Sequence, residues 1–261
     1  MSTLAGAPPL FTARILKAGA SLGDVRRLLE VWDDEASPQA NLRAIVQGNL
    51  LGKATRTRAA DVSAALRARY VDPGPQVIPA LRLLTAEPPA FVDACWYETT
   101  RSDPLLAAFA EEAVDAWSHS GQTAVTVDGV EGWVRAQAAG GRAPAWSDQV
   151  TRRVAHGLVA TSRDLGALIG AVRKEVAPPR LSTTGLVYVA FRLHEQGASS
   201  RVQVEGPIWR RWRLRSEHVE ALFVEAARSG VLRFSRVGSS VRLDWQARSL
   251  SEAVEVANAA G

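Results

Sequence analysis

Residues 181–245 read LSTTGLVYVAFRLHEQGASSRVQVEGPIWRRWRLRSEHVEALFVEAARSGVLRFSRVGSSVRLDW, and the hydrophobic period shifts repeatedly along them. Leu186, Val187, Ala190, Phe191 and Leu193 line one side of a helix that stops near Gly197. Arg201–Glu205 alternates polar and apolar positions, which predicts a short half-buried strand with Val202 and Val204 inward. Pro207 suits the first position of a helix, where its missing N–H costs nothing. Val219, Leu222, Phe223 and Ala226 follow the i, i+3, i+4, i+7 rule of one buried helical face, with Ser216 as N-cap and Gly230 as the stop. Leu232 and Phe234 then alternate with Arg233 and Ser235, and Val241, Leu243 and Trp245 with Arg242 and Asp244. Gly238-Ser239-Ser240 between them makes a hairpin. Helix, strand, basic helix, helix, hairpin is the order of a winged helix, so residues 181–246 are expected to form a winged-helix-like module. Such modules mostly bind nucleic acid or protein.

Upstream, the pattern is helical almost throughout. Ser21–Trp32 places Val25, Leu28, Leu29 and Trp32 on one face, and Asp33–Pro38 ends it. Asn41–Leu51 and Ala59–Tyr70 read as two helices joined by a turn at Gly52. Helices follow at Pro79–Leu84, Pro89–Thr99 and Leu105–Trp117, then an extended Thr123–Val127 and a short helix at Gly129–Gln137. Ala138–Pro144 is the most linker-like stretch. Ser147 is expected to cap a helix running to about Val176, closed by Pro178-Pro179. Met1–Pro9, small and Pro-bearing, is expected to be loose. The expected fold class is therefore mainly α. The expected division is an N-terminal helical domain over 1–140, with a helix–turn–helix-like segment at 41–70, and a C-terminal helical domain over 141–261.

Composition narrows the function classes. At 261 residues the chain can bury a sizeable core without disulfides, and its single cysteine, Cys95, forms no intramolecular one. Cys95 reads as a small buried apolar residue. No uncharged run reaches the length of a membrane span, and the N-terminus has no basic region followed by an apolar core. The expectation is a soluble cytoplasmic protein. Net charge is only +4, but the cations are 28 arginines against three lysines. Arginine's planar fork suits phosphate.

Two stretches concentrate that charge. In the first, Arg43, Lys53, Arg56, Arg58, Arg67 and Arg69 are opposed only by Asp61 between Asn41 and Tyr70. Lys53, Arg56 and Arg58 fall at a turn and a helix start, where free N–H groups and the dipole favour anions. With the Thr55 and Thr57 hydroxyls they form either a phosphate cradle or a solvated face. In the second, Arg210, Arg211, Arg213 and Arg215 interleave with Trp209 and Trp212. The indoles either stack on bases or, at helical spacing with Ile208, belong to the core. Glu217, Glu220 and Glu225 stand on the helix before the hairpin, where phosphates would be repelled. Contacts to duplex DNA are therefore expected from the Arg210–Arg215 segment and from Arg233, Arg236 and Arg242, with little base readout. The acidic face is then free for a protein partner.

No catalytic arrangement emerges. Gly48–Ala54 superficially resembles a phosphate-binding loop but has one residue too few between its glycines, and Ala54 where Ser or Thr would bind magnesium. His119, His156, His194 and His218 are scattered, without metal-ligand spacing. Asp33-Asp34-Glu35 and Glu111-Glu112 read as solvated faces. No cofactor, metal or small-molecule substrate is expected.

The order of several short blocks resembles the BrxA family, accessory proteins of bacterial BREX phage-defence systems. Phe11-Thr12-Ala13-Arg14 with Lys17-Ala18-Gly19 is similar to the family's opening. Asn49-Leu50, Lys53, Arg56 and Leu66-Arg67-Ala68-Arg69-Tyr70 resemble its first block. Trp146, Thr151-Arg152-Arg153 and Leu165-Gly166 resemble its middle block. Trp209-Arg210, Leu222-Phe223 and Val241–Trp245 resemble its closing block. The resemblance implies a helical, non-enzymatic protein that binds double-stranded DNA alongside larger ATPase, methyltransferase and phosphatase-like BREX proteins. Two rival readings remain: a protein-interaction adaptor using the Glu217–Glu225 face, and a transcriptional regulator with one operator.

Overall fold

Hydroxyl caps and prolines set most helix starts in this chain. The computed structural model describes residues 10–121 and 123–259; Met1–Pro9 lie outside them. After a 3₁₀ turn at Arg14–Leu16 come α1 (Leu22–Val31), α2 (Pro38–Gln47) and α3 (Arg56–Leu66). Ser37 Oγ accepts from Ala40 N ahead of Pro38, and Thr55 Oγ1 accepts from Arg58 N. α3 continues as a π turn, Arg67–Val71, followed by α4 (Val77–Leu84) and α5 (Pro88–Ser102). Asp103 then caps α6 (Pro104–Ala108), which runs through a π turn, Phe109–Val114, into α7 (Asp115–Ser120). Next come β1 (Ala124–Val125), α8 (Val127–Ala139), α9 (Asp148–Asp164), β2 (Leu168–Ile169) and β3 (Lys174–Val176). The last part is α10 (Thr183–Glu195), α11 (Ser200–Glu205), a 3₁₀ turn at Pro207–Trp212, α12 (Ser216–Arg228), β4 (Leu232–Val237), β5 (Ser240–Trp245) and α13 (Leu250–Asn258).

The described residues are mainly helical, with two small antiparallel sheets. β3 lies between β1 and β2, pairing Ala124 with Glu175 and Leu168 with Val176. β4 and β5 form the expected hairpin, Leu232 opposite Trp245 and Val237 opposite Ser240. Its loop is only Gly238-Ser239; Gly238 has φ +58, which glycine adopts without Cβ strain.

Three local expectations are corrected. Arg201–Glu205 is not a strand but helix α11: Ser199 Oγ caps Val202 N, Val204 is buried and Val202 is 49% exposed. A five-residue alternation also fits one helical turn, and the cap decides between them. Ser216 is the first residue of α12 rather than its cap; Arg215 holds that position without a side-chain bond. The helix capped by Ser147 ends at Asp164, not near Val176. Gly166 at φ +80 turns the chain, β2 pairs with β3, and β3 pairs with β1, about 50 residues earlier in sequence. Of the linker-like 138–144, the first two residues end α8, and 140–144 form a tight turn in which Ala143 is buried and the Arg142 carbonyl accepts from Phe11 N at 2.8 Å.

The core is one cluster reaching from Phe11 to Ala257, and α5 runs through it. Glu98 on α5 is fully buried and accepts from Tyr188 Oη (3.0 Å), Arg192 Nε (3.1 Å) and Arg101 Nε (2.7 Å). Asp93, one turn earlier, accepts from the Ser182 amide (2.9 Å) and hydroxyl (2.7 Å) and from the Trp212 indole (3.1 Å). Burial raises the Asp93 carboxyl above the usual range, against the pull of those bonds.

Glu98→Ala leaves Arg192 buried without its main partner and is expected to cost roughly 3–5 kcal/mol by urea unfolding, part of which Arg192→Met on a Glu98→Met background should recover. Cys95 is fully buried beside Tyr70, and burial pushes its thiol up to about 12. A thiol reagent at pH 8 should therefore leave the native protein unlabelled and modify Cys95 only in denaturant; rapid labelling of the native protein would contradict this burial.

Candidate functional site

The first basic cluster separates into clamps and free cations. Arg69 is buried and donates to the Ala18 and Gly19 carbonyls at 2.6 Å, tying the chain start to the end of α3. Lys53 is half-buried and paired with Asp24, and its backbone is locked by Asn49, whose side chain makes two 2.8 Å bonds to it. Arg67 pairs with Asp72 at 2.9 Å. Arg58 is exposed and donates to the Lys17 carbonyl. Arg43 on α2 and Arg56 at the first position of α3 are exposed and make no ion pair among the described residues. With Arg67 and the α2–α3 seam, Arg43 borders a shallow groove of about 640 Å³. No acid lies in the first turn of α3. The Gly48–Lys53 loop joins two helices, so it lacks the strand-to-helix setting of a nucleotide-binding loop.

The second cluster divides more sharply. Trp209 and Trp212 are buried: Trp209 stands edge-on to Phe223 and donates to the Gln203 carbonyl, while Trp212 donates to Asp93. Arg211 binds Glu111 at 2.6 Å and Thr100 Oγ1 at 3.0 Å. Arg213 is 4% exposed at φ +58; among the described residues its Nε has no partner, and its terminal nitrogens make only long contacts to the Arg211 and Pro178 carbonyls. Burial lowers its guanidinium to about 10, opposed by the charge of Asp115. Arg213 and Arg211 therefore face the interior, and only Arg210 and Arg215 of this segment are exposed without an ion pair among the described residues. On the hairpin, Arg233 is exposed, Arg242 pairs with Asp244 at 2.8 Å, and Arg236 is held by Glu205 (2.8 Å) and Glu220 (3.0 Å). Glu217 and Glu225 stay exposed on α12.

One basic surface escapes the sequence reading. On α9, Gln149, Arg153, His156, Ala160 and Arg163 share an exposed face, next to Arg173 and Lys174 at the β2–β3 turn. Their spacing of 149, 153, 156, 160, 163 is a helical signal visible in the sequence, but the hairpin that completes the surface is hidden in strands of two and three residues. No group of His, Cys, Asp and Glu among the described residues could hold a metal ion, and no helix among them is long and apolar enough to cross a membrane.

Comparison with known proteins adds to this geometry. The crystal structure of an uncharacterized protein from Magnetospirillum magneticum superposes with a TM-score of 0.58, covering 78% of this chain and 98% of that one at 14% identity. That likeness concerns the fold alone. No curated protein matches the chain. The BrxA family profile matches residues 9–191, from the opening 3₁₀ turn through most of α10. With more than half of its length matched in this way, the chain belongs to the BrxA family, a family of the bacterial BREX phage-defence system.

Proposed function

We propose that this chain is a non-enzymatic accessory protein of a BREX system that holds double-stranded DNA mainly through phosphates, with little sequence specificity. The observation that carries this reading is the start of α3. Arg56 and Arg58 stand exposed on a capped helix N-terminus without an acid in its first turn, and the unpaired Arg43 lies on the neighbouring helix. Free amide groups, the positive end of the helix dipole and arginine forks all favour phosphate oxygens. Thr55 supports the site by capping the helix rather than by binding DNA itself. Arg210, Arg215 and Arg233 extend the contact in the C-terminal part. Lys53, Arg236 and Arg242 contribute only by giving up acidic partners, and the half-buried Arg211 and buried Arg213 position the backbone from which Arg210 projects.

A second reading, an adaptor that docks onto another BREX protein, is favoured by α12 and the hairpin. There the exposed Glu217 and Glu225 flank Val224, which is 44% exposed, and Val237 at the hairpin end is 80% exposed. Co-purification with BREX partners that survives nuclease and high salt, and is lost on Val224→Lys, would select it.

The DNA reading is tested by fluorescence anisotropy with unrelated random duplexes across a salt series. Arg56→Ala with Arg58→Ala should weaken binding about tenfold and flatten the log–log salt slope by roughly 2, with an unchanged circular dichroism spectrum. Equal affinity in that variant removes the α3 site. Tight preference for one duplex over all others supports an operator-specific regulator instead.

A further inference from the structure

We infer that residues 104–176 form a winged-helix unit whose third helix, α9, docks in a groove of duplex DNA while the β2–β3 turn straddles the adjacent phosphate backbone. This inference rests on the DNA-binding reading above and names a different contact surface. Its first support is connectivity. The helical run from Pro104 to Ser120 leads to β1, then α8, then α9, then β2 and β3, and the sheet order is β1–β3–β2 with both pairings antiparallel. A first strand returning to pair with the last one beside a helix–helix corner is the winged-helix arrangement. α8 and α9 pack against each other, each started by its own hydroxyl cap, Thr126 and Ser147.

The chemistry of the exposed face is the second support. α9 buries Val154, Ala155, Leu158 and Ser162 and turns Gln149, Arg153, His156 and Arg163 outward. Its 17 residues span about 25 Å, enough to lie along a major groove. Arginine and glutamine are the side chains that make paired bonds to guanine and adenine edges. Between α9 and the β2–β3 turn lies a groove of about 700 Å³ lined by His156, Arg163, Arg173 and Lys174, and no carboxylate lines it. That lining suits a phosphodiester strand once Asp164 and Glu175, which pair with Arg163 and Arg173 from outside the groove, are displaced.

The turn itself is the third support. Val172 is 99% exposed at its tip, beside the exposed Arg173. Gly170 sits at φ +95, and a Cβ there would meet the Arg173 carbonyl oxygen at 1.9 Å, so the tip is closed tightly on a glycine. Two ion pairs on this surface, Arg163 with Asp164 and Arg173 with Glu175, are exposed on both sides and readily exchanged for phosphates, whereas Arg152 is held by the buried Glu131. Arg153 makes no ion pair among the described residues. α12 offers no such face: its exposed Glu217 and Glu225 oppose phosphate.

The test uses the full chain and a random-sequence 30-base-pair duplex, read by anisotropy at moderate salt. Arg153→Glu with Arg173→Glu should weaken binding about 100-fold, and Arg153→Ala with Arg173→Ala about tenfold, with thermal unfolding unchanged. Should the charge reversals misfold, the alanine pair and hydrogen exchange of the wild-type complex still decide: duplex should protect residues 149–163 and 170–174. Wild-type binding that both variants retain, with no protection there, overturns this inference and leaves the α3 site standing. A wild type that binds no duplex even at low salt overturns both.

Discussion

A buried carboxylate must find its hydrogen bonds inside the protein, and two such groups on α5 organise everything packed around it. Glu98 gathers Tyr188 and Arg192 of α10, and Arg192 reaches on to Glu195 and the Pro73 carbonyl ahead of α4. Asp93 gathers the cap of α10 through Ser182 and the 3₁₀ turn through Trp212. The Trp96 indole adds a 3.2 Å bond to the Arg211 carbonyl. The fit is close enough that a Cβ at Gly185 would lie 2.5 Å from Asp93 Oδ2, so α10 can approach α5 only with glycine at that position. The position of α10, and of the tryptophan turn that leads into α12, is thus set from α5.

The same accounting explains why arginine content is a poor guide to where a protein can hold an anionic ligand. Arg69 and Arg82 each saturate backbone carbonyls far away in sequence, at Ala18 and Gly19 and at Leu29 and Trp32. Arg142 is held by both oxygens of Glu112 and lies over the Phe11 ring. A guanidinium has five donors in a rigid fork, which makes it as useful for closing loops as for holding phosphate. Five donors spent internally are unavailable to a ligand, so the free cations have to be found one by one.

Elements with long, consistent periods were legible. Val219, Phe223 and Ala226 do form the buried face of α12, Leu186 through Phe191 are buried on α10, and the hairpin pairs as its alternation predicts. Trp209 and Trp212 lie in the core, as helical spacing allows. What the sequence concealed was short or non-local. Five alternating residues at Arg201–Glu205 fit helix and strand equally until the Ser199 cap is seen. β1, β2 and β3 hold two or three residues each and acquire meaning only by pairing across α8 and α9. Arg213 looks like its neighbours, but a left-handed backbone at the end of the 3₁₀ turn points it inward. In the first cluster the internal partners of the cations were not visible: Asp24 is 29 positions from Lys53.

Charge placement on the two helices that precede hairpins then separates the surfaces they present. α9 carries arginines, histidine and glutamine outward and leads to a turn with Arg173 and Lys174. α12 carries glutamates, and the hairpin's Arg236 is drawn back onto Glu205 and Glu220, so the positive charge of that module is neutralised within it. Phosphates approaching α12 would meet the exposed charges of Glu217 and Glu225, and at physiological salt that repulsion acts over about 8 Å, the width of a helix contact. On α9 the exposed Asp148 and Asp164 are instead each paired with an arginine, Arg135 and Arg163. Because these fields are short-ranged, the sign of a few exposed side chains on each helix decides whether it can face DNA, while similar topology alone decides only that it can be exposed.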